Sequence, residues 1–140
     1  MHLLDTDTLT HLHAGNANVV ERLRNLDDPR IGITIVTKIE LLRGRYDHFL
    51  KASTTADCLR AQEHLLRTEE LLAQIVVVPF SDVGARHFDR LRTVRGLKRI
   101  GRADLLVASI ALAHRATLVT RNVRHFRQVP NLAVVNWVDR

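Results

Sequence analysis

Short apolar runs rich in β-branched residues alternate along this chain with stretches whose leucines and valines recur every three or four positions. Strands and amphipathic helices are therefore expected to alternate. HLLD, near the start, reads as a buried strand. Leu9 and Leu12 then fall at helical spacing until Gly15 stops the turn, and Asn16 caps a second short helix, NVVERLRNL, with Val19, Val20, Leu23 and Leu26 on one face. Asp28-Pro29 breaks that pattern, and IGITIVT supplies a second strand. TKIELLRG begins the next helix, and a long one from Thr54 to Gln74 carries Leu59, Leu65, Leu66, Leu71 and Leu72. IVVVPF makes a third strand. Ser81 caps a helix through Phe88, Leu91 and Val94 that ends near Gly96, and a further helix from Arg102 to His114 leads into TLVT, the fourth strand. LAVVNW closes the chain as a fifth.

Strands separated by helices, several of them continuously apolar, predict a mainly parallel sheet of about five strands covered on both faces. The expected class is α/β, a single domain over residues 1–140, with no repeat, low-complexity tract or linker. Right-handed crossovers gather helix N-termini and strand C-termini on one edge of such a sheet, the edge where open α/β sheets bind ligands.

Four residues reach that edge. Asp5 ends the first strand, Glu40 opens the helix after the second, Asp104 opens the helix before the fourth, and Asn122 follows the fourth. Carboxylates brought together by different segments repel one another unless a cation neutralises them, and hard oxygen donors completed by water describe a Mg²⁺ or Mn²⁺ site. Such an ion activates water against a phosphodiester. Each acid also has a local reading: Thr37 to Glu40 fits a capping box, and Asp104 in a first helical turn favours the helix dipole. Asp5 and Asp7 could merely cap the next helix, but Asp5 is harder to assign to structure alone, because a carboxylate ending a buried strand needs a partner.

Charge narrows the partner. The formal net charge is +6, yet the stretch from Arg86 to Arg127 holds eleven Lys and Arg against only Asp89 and Asp104, leaving the rest of the chain net acidic. Eighteen of the 21 cations are arginines, whose planar fork suits phosphate, so RNA is a natural partner. The single cysteine, Cys58, excludes an intramolecular disulfide and a cysteine-rich zinc cluster, and suits a reducing compartment. No apolar run approaches the ~20 residues of a membrane span. A soluble cytoplasmic protein is expected. His11 and His13 lie about 200° apart around their helix and cannot share one ion. There is no phosphate-binding glycine loop followed by Lys-Ser/Thr, and no nucleophile elbow.

LLDTDTL, TIVTKIELLRG, GRADLLVASIALAHRATLVTRN and HFRQVPNLAVVNW, in that order along nearly the whole chain, resemble the PIN-domain ribonucleases, and specifically the VapC-type toxins of bacterial toxin-antitoxin pairs. The resemblance implies a three-layer α/β/α fold, divalent-metal-dependent endoribonuclease activity on a structured RNA such as tRNA, a homodimer, and inhibition by a cognate VapB-type antitoxin. It places Asp5, Glu40 and Asp104 at the metal-binding positions and Asn122 at the fourth, where many PIN domains carry Asp. An amide there offers an oxygen but no charge. Asp7 stands where the family usually has Asn. With Thr37 and Thr120, Asp7 is expected to steady the site, and Arg102, Arg121 and Arg124 are expected to hold phosphates. The expected products are a 5′-phosphate and a 3′-hydroxyl.

Two rivals use the same residues. Asp5-Thr6-Asp7 also resembles the nucleophile motif of haloacid-dehalogenase-like phosphatases, with Lys98 as the later lysine. A PIN-like module that binds RNA or antitoxin without cutting would need only the basic surface.

Overall fold

A computed structural model describes residues 1–28, 30–97 and 99–139. Pro29 and Lys98 lie outside the described residues. Five strands form one sheet: β1 (His2–Leu4), β2 (Ile31–Thr34), β3 (Val76–Val78), β4 (Thr117–Val119) and β5 (Ala133–Val135). All neighbours pair in parallel, in the order β3-β2-β1-β4-β5. The helices are α1 (Thr6–His13), α2 (Ala17–Arg24), α3 (Ile35–Lys51), α4 (Thr55–Gln74), α5 (Asp82–Arg92), α6 (Arg102–Ala113) and the one-turn α7 (Val123–Phe126).

The alternation of side chains along each strand divides the core into two layers. Leu4, Ile33 and Val119 point to the side covered by Leu9 of α1, Val19 of α2, Leu41 of α3 and Leu72 of α4. Leu118 points the other way, against Phe88 and Leu91 of α5 and Leu105 and Ala108 of α6, and Leu3 packs there against Ile110 and Ala111. The sheet is thus sandwiched between helices, as the apolar strands predict. Gly32 matters because β2 and β3 approach closely beside it: a Cβ would sit 2.8 Å from the Val76 carbonyl oxygen.

Local signals carried most boundaries. Asn16, Thr54 and Ser81 each accept from the backbone N–H three residues on, and Gly15, at φ +80, follows α1 in the left-handed conformation that glycine tolerates best. The second strand departs from expectation: it ends at Thr34, not Thr37. Ile35 and Val36 look like strand residues, but the Thr34 hydroxyl accepts from the Thr37 N–H and starts α3 there. Thr37 is therefore inside the helix, and the capping box with Glu40 does not form. α5 stops at Arg92, so Val94, Leu97 and Ile100 reach the core from a non-helical segment. Two leucines of α4 placed at helical spacing, Leu59 and Leu66, face solvent at 68% and 52% exposure. Among the described residues no helix is long and apolar enough to cross a membrane.

His2, at the start of β1, packs against Trp137 with ring centres 5.5 Å apart, and its buried Nδ1 has no hydrogen-bond partner among the described residues. Burial first, and then the nearby terminal ammonium, pull its pKa below the ordinary 6.5. The fold therefore holds a neutral imidazole while the unfolded chain takes up a proton near 6.5, so stability is lost as pH falls below that value. Burial and Arg90 displace His87 in the same direction. Thermal melts from pH 7.5 to 5 should show a falling Tm, and His2→Phe should flatten part of that slope; an unaltered slope in the variant would remove His2 from the effect.

Candidate active site

The chain runs from β1 out through β2 to β3, then returns to the other side of β1 as β4. The crevice between the carboxyl ends of β1 and β4 is the switch point of this sheet, where loops diverge and leave room for a ligand.

Asp5 stands at that point. Its N–H donates to the Val119 carbonyl at 3.0 Å, tying it to the end of β4, and its Oδ1 accepts from the Thr8 N–H at 2.8 Å, capping α1. The buried Thr8 hydroxyl donates to the same Val119 carbonyl at 3.2 Å. Glu40, in the second turn of α3, accepts from the Thr6 hydroxyl at 3.2 Å, so the residue after Asp5 draws α3 toward the same edge. Asp104 lies in the first turn of α6, and its Oδ2 is 3.0 Å from Nε2 of His125 on α7. The His125 ring stands edge-on to the buried Phe126 ring, 5.1 Å between centres. Asn122 precedes α7; its N–H donates to the buried Thr120 hydroxyl at 3.0 Å, and its own side chain makes no capping bond.

Asp5 and Asn122 follow the carboxyl ends of β1 and β4, and Glu40 and Asp104 lie in the first two turns of α3 and α6, each with a contact of its own. Among the described residues no three His, Cys, Asp or Glu side chains converge closely enough to hold an ion between them. Each carboxylate spends one oxygen on a protein donor, Thr8, Thr6 or His125, and the other makes no hydrogen bond among the described residues. Three carboxylates and one amide oxygen are hard donors, and their chemistry fits a divalent ion of the Mg²⁺ type.

The neighbours behave less uniformly. Thr120 steadies Asn122 through its hydroxyl, whereas the Thr37 hydroxyl meets Thr34 at 3.4 Å and shapes the entry to α3 without touching an acid. Asp7 does not turn toward Asp5: it binds Arg121, with Nε to Oδ2 at 2.8 Å and Nη2 to Oδ1 at 3.4 Å. That hydrogen bond, and then the Asp7 charge, hold Arg121 more firmly protonated than usual, with smaller help from Asp139 and Asp5. The pairing also takes Asp7 away from the acid/base role a phosphatase would require. Arg102 lies over the Phe88 ring, and Arg124 makes no hydrogen bond or ion pair among the described residues.

Sequence reading missed His125 as the partner of Asp104, because the two are 21 residues apart and meet only once α7 folds against α6. It missed the Asp7–Arg121 pair for the same reason, at a separation of 114.

An all-parallel sheet covered by helices on both faces, with acids at its switch point, defines an α/β protein. The chain belongs to the PIN-domain family: the family model, PIN domain, matches residues 2–132. It is 35% identical over 80 residues to "Ribonuclease VapC2" of Rickettsia felis, a match spanning 56% of this chain and 60% of that relative. It is 23% identical over 137 residues to "tRNA(fMet)-specific endonuclease VapC" of Salmonella typhimurium, covering 96% of each. Among solved structures, VapBC2 from Rickettsia felis bound to a DNA fragment from its promoter aligns with 97% of this chain and 98% of its own, at TM-score 0.75 and 28% identity.

Releasing Arg121 gives a measurable effect. The Asp7–Arg121 pair is about two-fifths exposed on both sides, so solvent screens it and its loss costs little stability. Asp7→Asn should leave Tm nearly unchanged, tighten binding of a phosphate polyanion used as probe several-fold, and steepen the dependence of log affinity on log salt by about one. An unchanged salt slope would mean that Arg121 meets no phosphate.

Proposed function

We propose that this chain is an endoribonuclease toxin of the VapC type, cutting phosphodiester bonds in a structured RNA such as tRNA and neutralised by a VapB-type antitoxin. The observation that carries it is the set Asp5, Glu40, Asp104 and Asn122 on the β1/β4 edge of a chain whose relatives are named as VapC ribonucleases. Asp5, Glu40 and Asp104 would hold Mg²⁺, with Mn²⁺ able to substitute, and Asn122 would offer its carbonyl oxygen. When bound, such an ion supplies an activated water and neutralises charge developing on the phosphoryl group.

The protein's own groups then have definite tasks. Asp5 is fixed between the end of β1 and the cap of α1, so its second oxygen is presented on a rigid turn. His125 orients Asp104. Arg124, and Arg121 once drawn from Asp7, hold phosphates on either side of the cut and set the strand's position. Water attacks in line and leaves a 5′-phosphate and a 3′-hydroxyl. A homodimer and a cytoplasmic setting belong to the same reading.

Asp104→Asn tests it. The variant should lose cleavage of RNA by about a hundredfold or more while retaining RNA binding within a few-fold. Equal cleavage by the variant would remove Asp104 from the chemistry; binding without cleavage in the native protein at any Mg²⁺ or Mn²⁺ concentration would leave a binding module.

A further inference from the structure

The chain has only six aromatic residues, and two of its four phenylalanines meet on one patch. Phe80, 41% exposed, stands edge-on to Phe88 at 6.3 Å between ring centres. Over Phe88 lie two guanidinium groups: Cζ of Arg92 is 5.5 Å from the ring centre and Cζ of Arg102 is 5.7 Å from it. Two cations held over one ring repel each other, and attraction to the π face offsets part of that cost. Neither guanidinium makes an ion pair among the described residues. Both arginines line a cavity of about 240 Å³ whose other walls are Phe88, Leu91, Leu97, Ile100 and Leu105.

We infer that Arg92 and Arg102, laid over Phe88, form a stacking clamp for an unstacked nucleobase of single-stranded RNA, beside the helix end that carries Asp104. The inference rests on the proposed ribonuclease activity and names where a neighbouring nucleotide is held. An apolar floor under a cationic rim suits a flat aromatic ring joined to a negative backbone. Phe88 holds both guanidinium groups close to its ring at the edge of this cavity, so a base entering it meets them already in place. Stacking on arginine planes and aromatic rings is how single-stranded RNA is gripped without reading a duplex. Arg102 and Asp104 are two residues apart on α6 and face different sides of its first turn, so the clamped base lies one or more nucleotides from the bond that is cut. The cap of α6, Gly101, contributes no side chain to the path between them.

Lysine keeps the charge and loses the plane, so Arg→Lys separates stacking from a simple phosphate contact. Binding of a short single-stranded RNA would be measured by fluorescence anisotropy on full-length Asp5→Asn protein, with Arg92→Lys or Arg102→Lys added, and with RNAs carrying one abasic residue at each position in turn. Each Lys substitution should weaken binding about five- to a hundredfold. One abasic position should weaken binding to the arginine protein equally and leave the Lys variants unaffected. Lys variants that bind as tightly as their parent, or abasic RNAs that all bind alike, would overturn the clamp. If the native protein still cuts RNA in that case, the clamp alone fails; if it neither cuts nor binds, the ribonuclease reading fails with it.

Discussion

Asp5→Asn should lower RNA cleavage by at least about a hundredfold while leaving the protein folded. The two halves of that expectation come from the two oxygens of one carboxylate. Oδ1 caps α1 through the Thr8 N–H, and Asn caps as well as Asp does, so Tm should move by no more than a few degrees. The other half is charge: an amide at this position removes one of the three carboxylates proposed to hold the ion, and loss of an electrostatic group acting on the reacting phosphoryl typically costs about 10²–10³ in rate. Asp5→Ala would mix the effects, adding about 1 kcal/mol of lost capping to the lost charge. Cleavage measured beside a thermal melt separates them. An Asn variant that melts normally and cuts normally would exclude Asp5 from the chemistry.

Leu118→Ala should destabilise the protein by about 3–5 kcal/mol. Leu118 is fully buried on β4, between β1 and β5, against Phe88 and Leu105. A domain of this size has about 5–15 kcal/mol in total, so the substitution removes a large share of it. Leu50→Ala provides the contrast: Leu50 is 77% exposed, and its loss should change stability by about 0.5 kcal/mol or less. Denaturant titration of both variants checks the pair. Comparable losses at the two positions would contradict the assignment of the core to the helix-covered faces of the sheet.

What could be read from the sequence follows the range of the physics involved. Asn16, Thr54 and Ser81 were legible because a cap acts within three residues. The place of Asp5 at the end of β1 was legible because it closes an apolar run, and so was its cap on α1, which acts within three residues. The boundary at Thr34 was not, since Ile35 and Val36 prefer strands in isolation and become helical only because Thr34 caps them and Val36 packs into the core. The single turn of α7 is too short for any periodicity to reveal. The partners of the site were least legible. His125 on Asp104 and Arg121 on Asp7 are chosen by topology, and a charge count that left Arg121 and Arg102 free for phosphate could not see one bound to Asp7 and the other laid on Phe88.

The most direct test of metal-dependent RNA cleavage at this edge is to incubate the purified native protein with total RNA in Mg²⁺ and in EDTA, and to map new 5′ ends by sequencing. Discrete 5′-phosphate ends that appear with Mg²⁺ and vanish with EDTA are the expected result. Cuts that persist in EDTA, or no cuts in Mg²⁺, would contradict it.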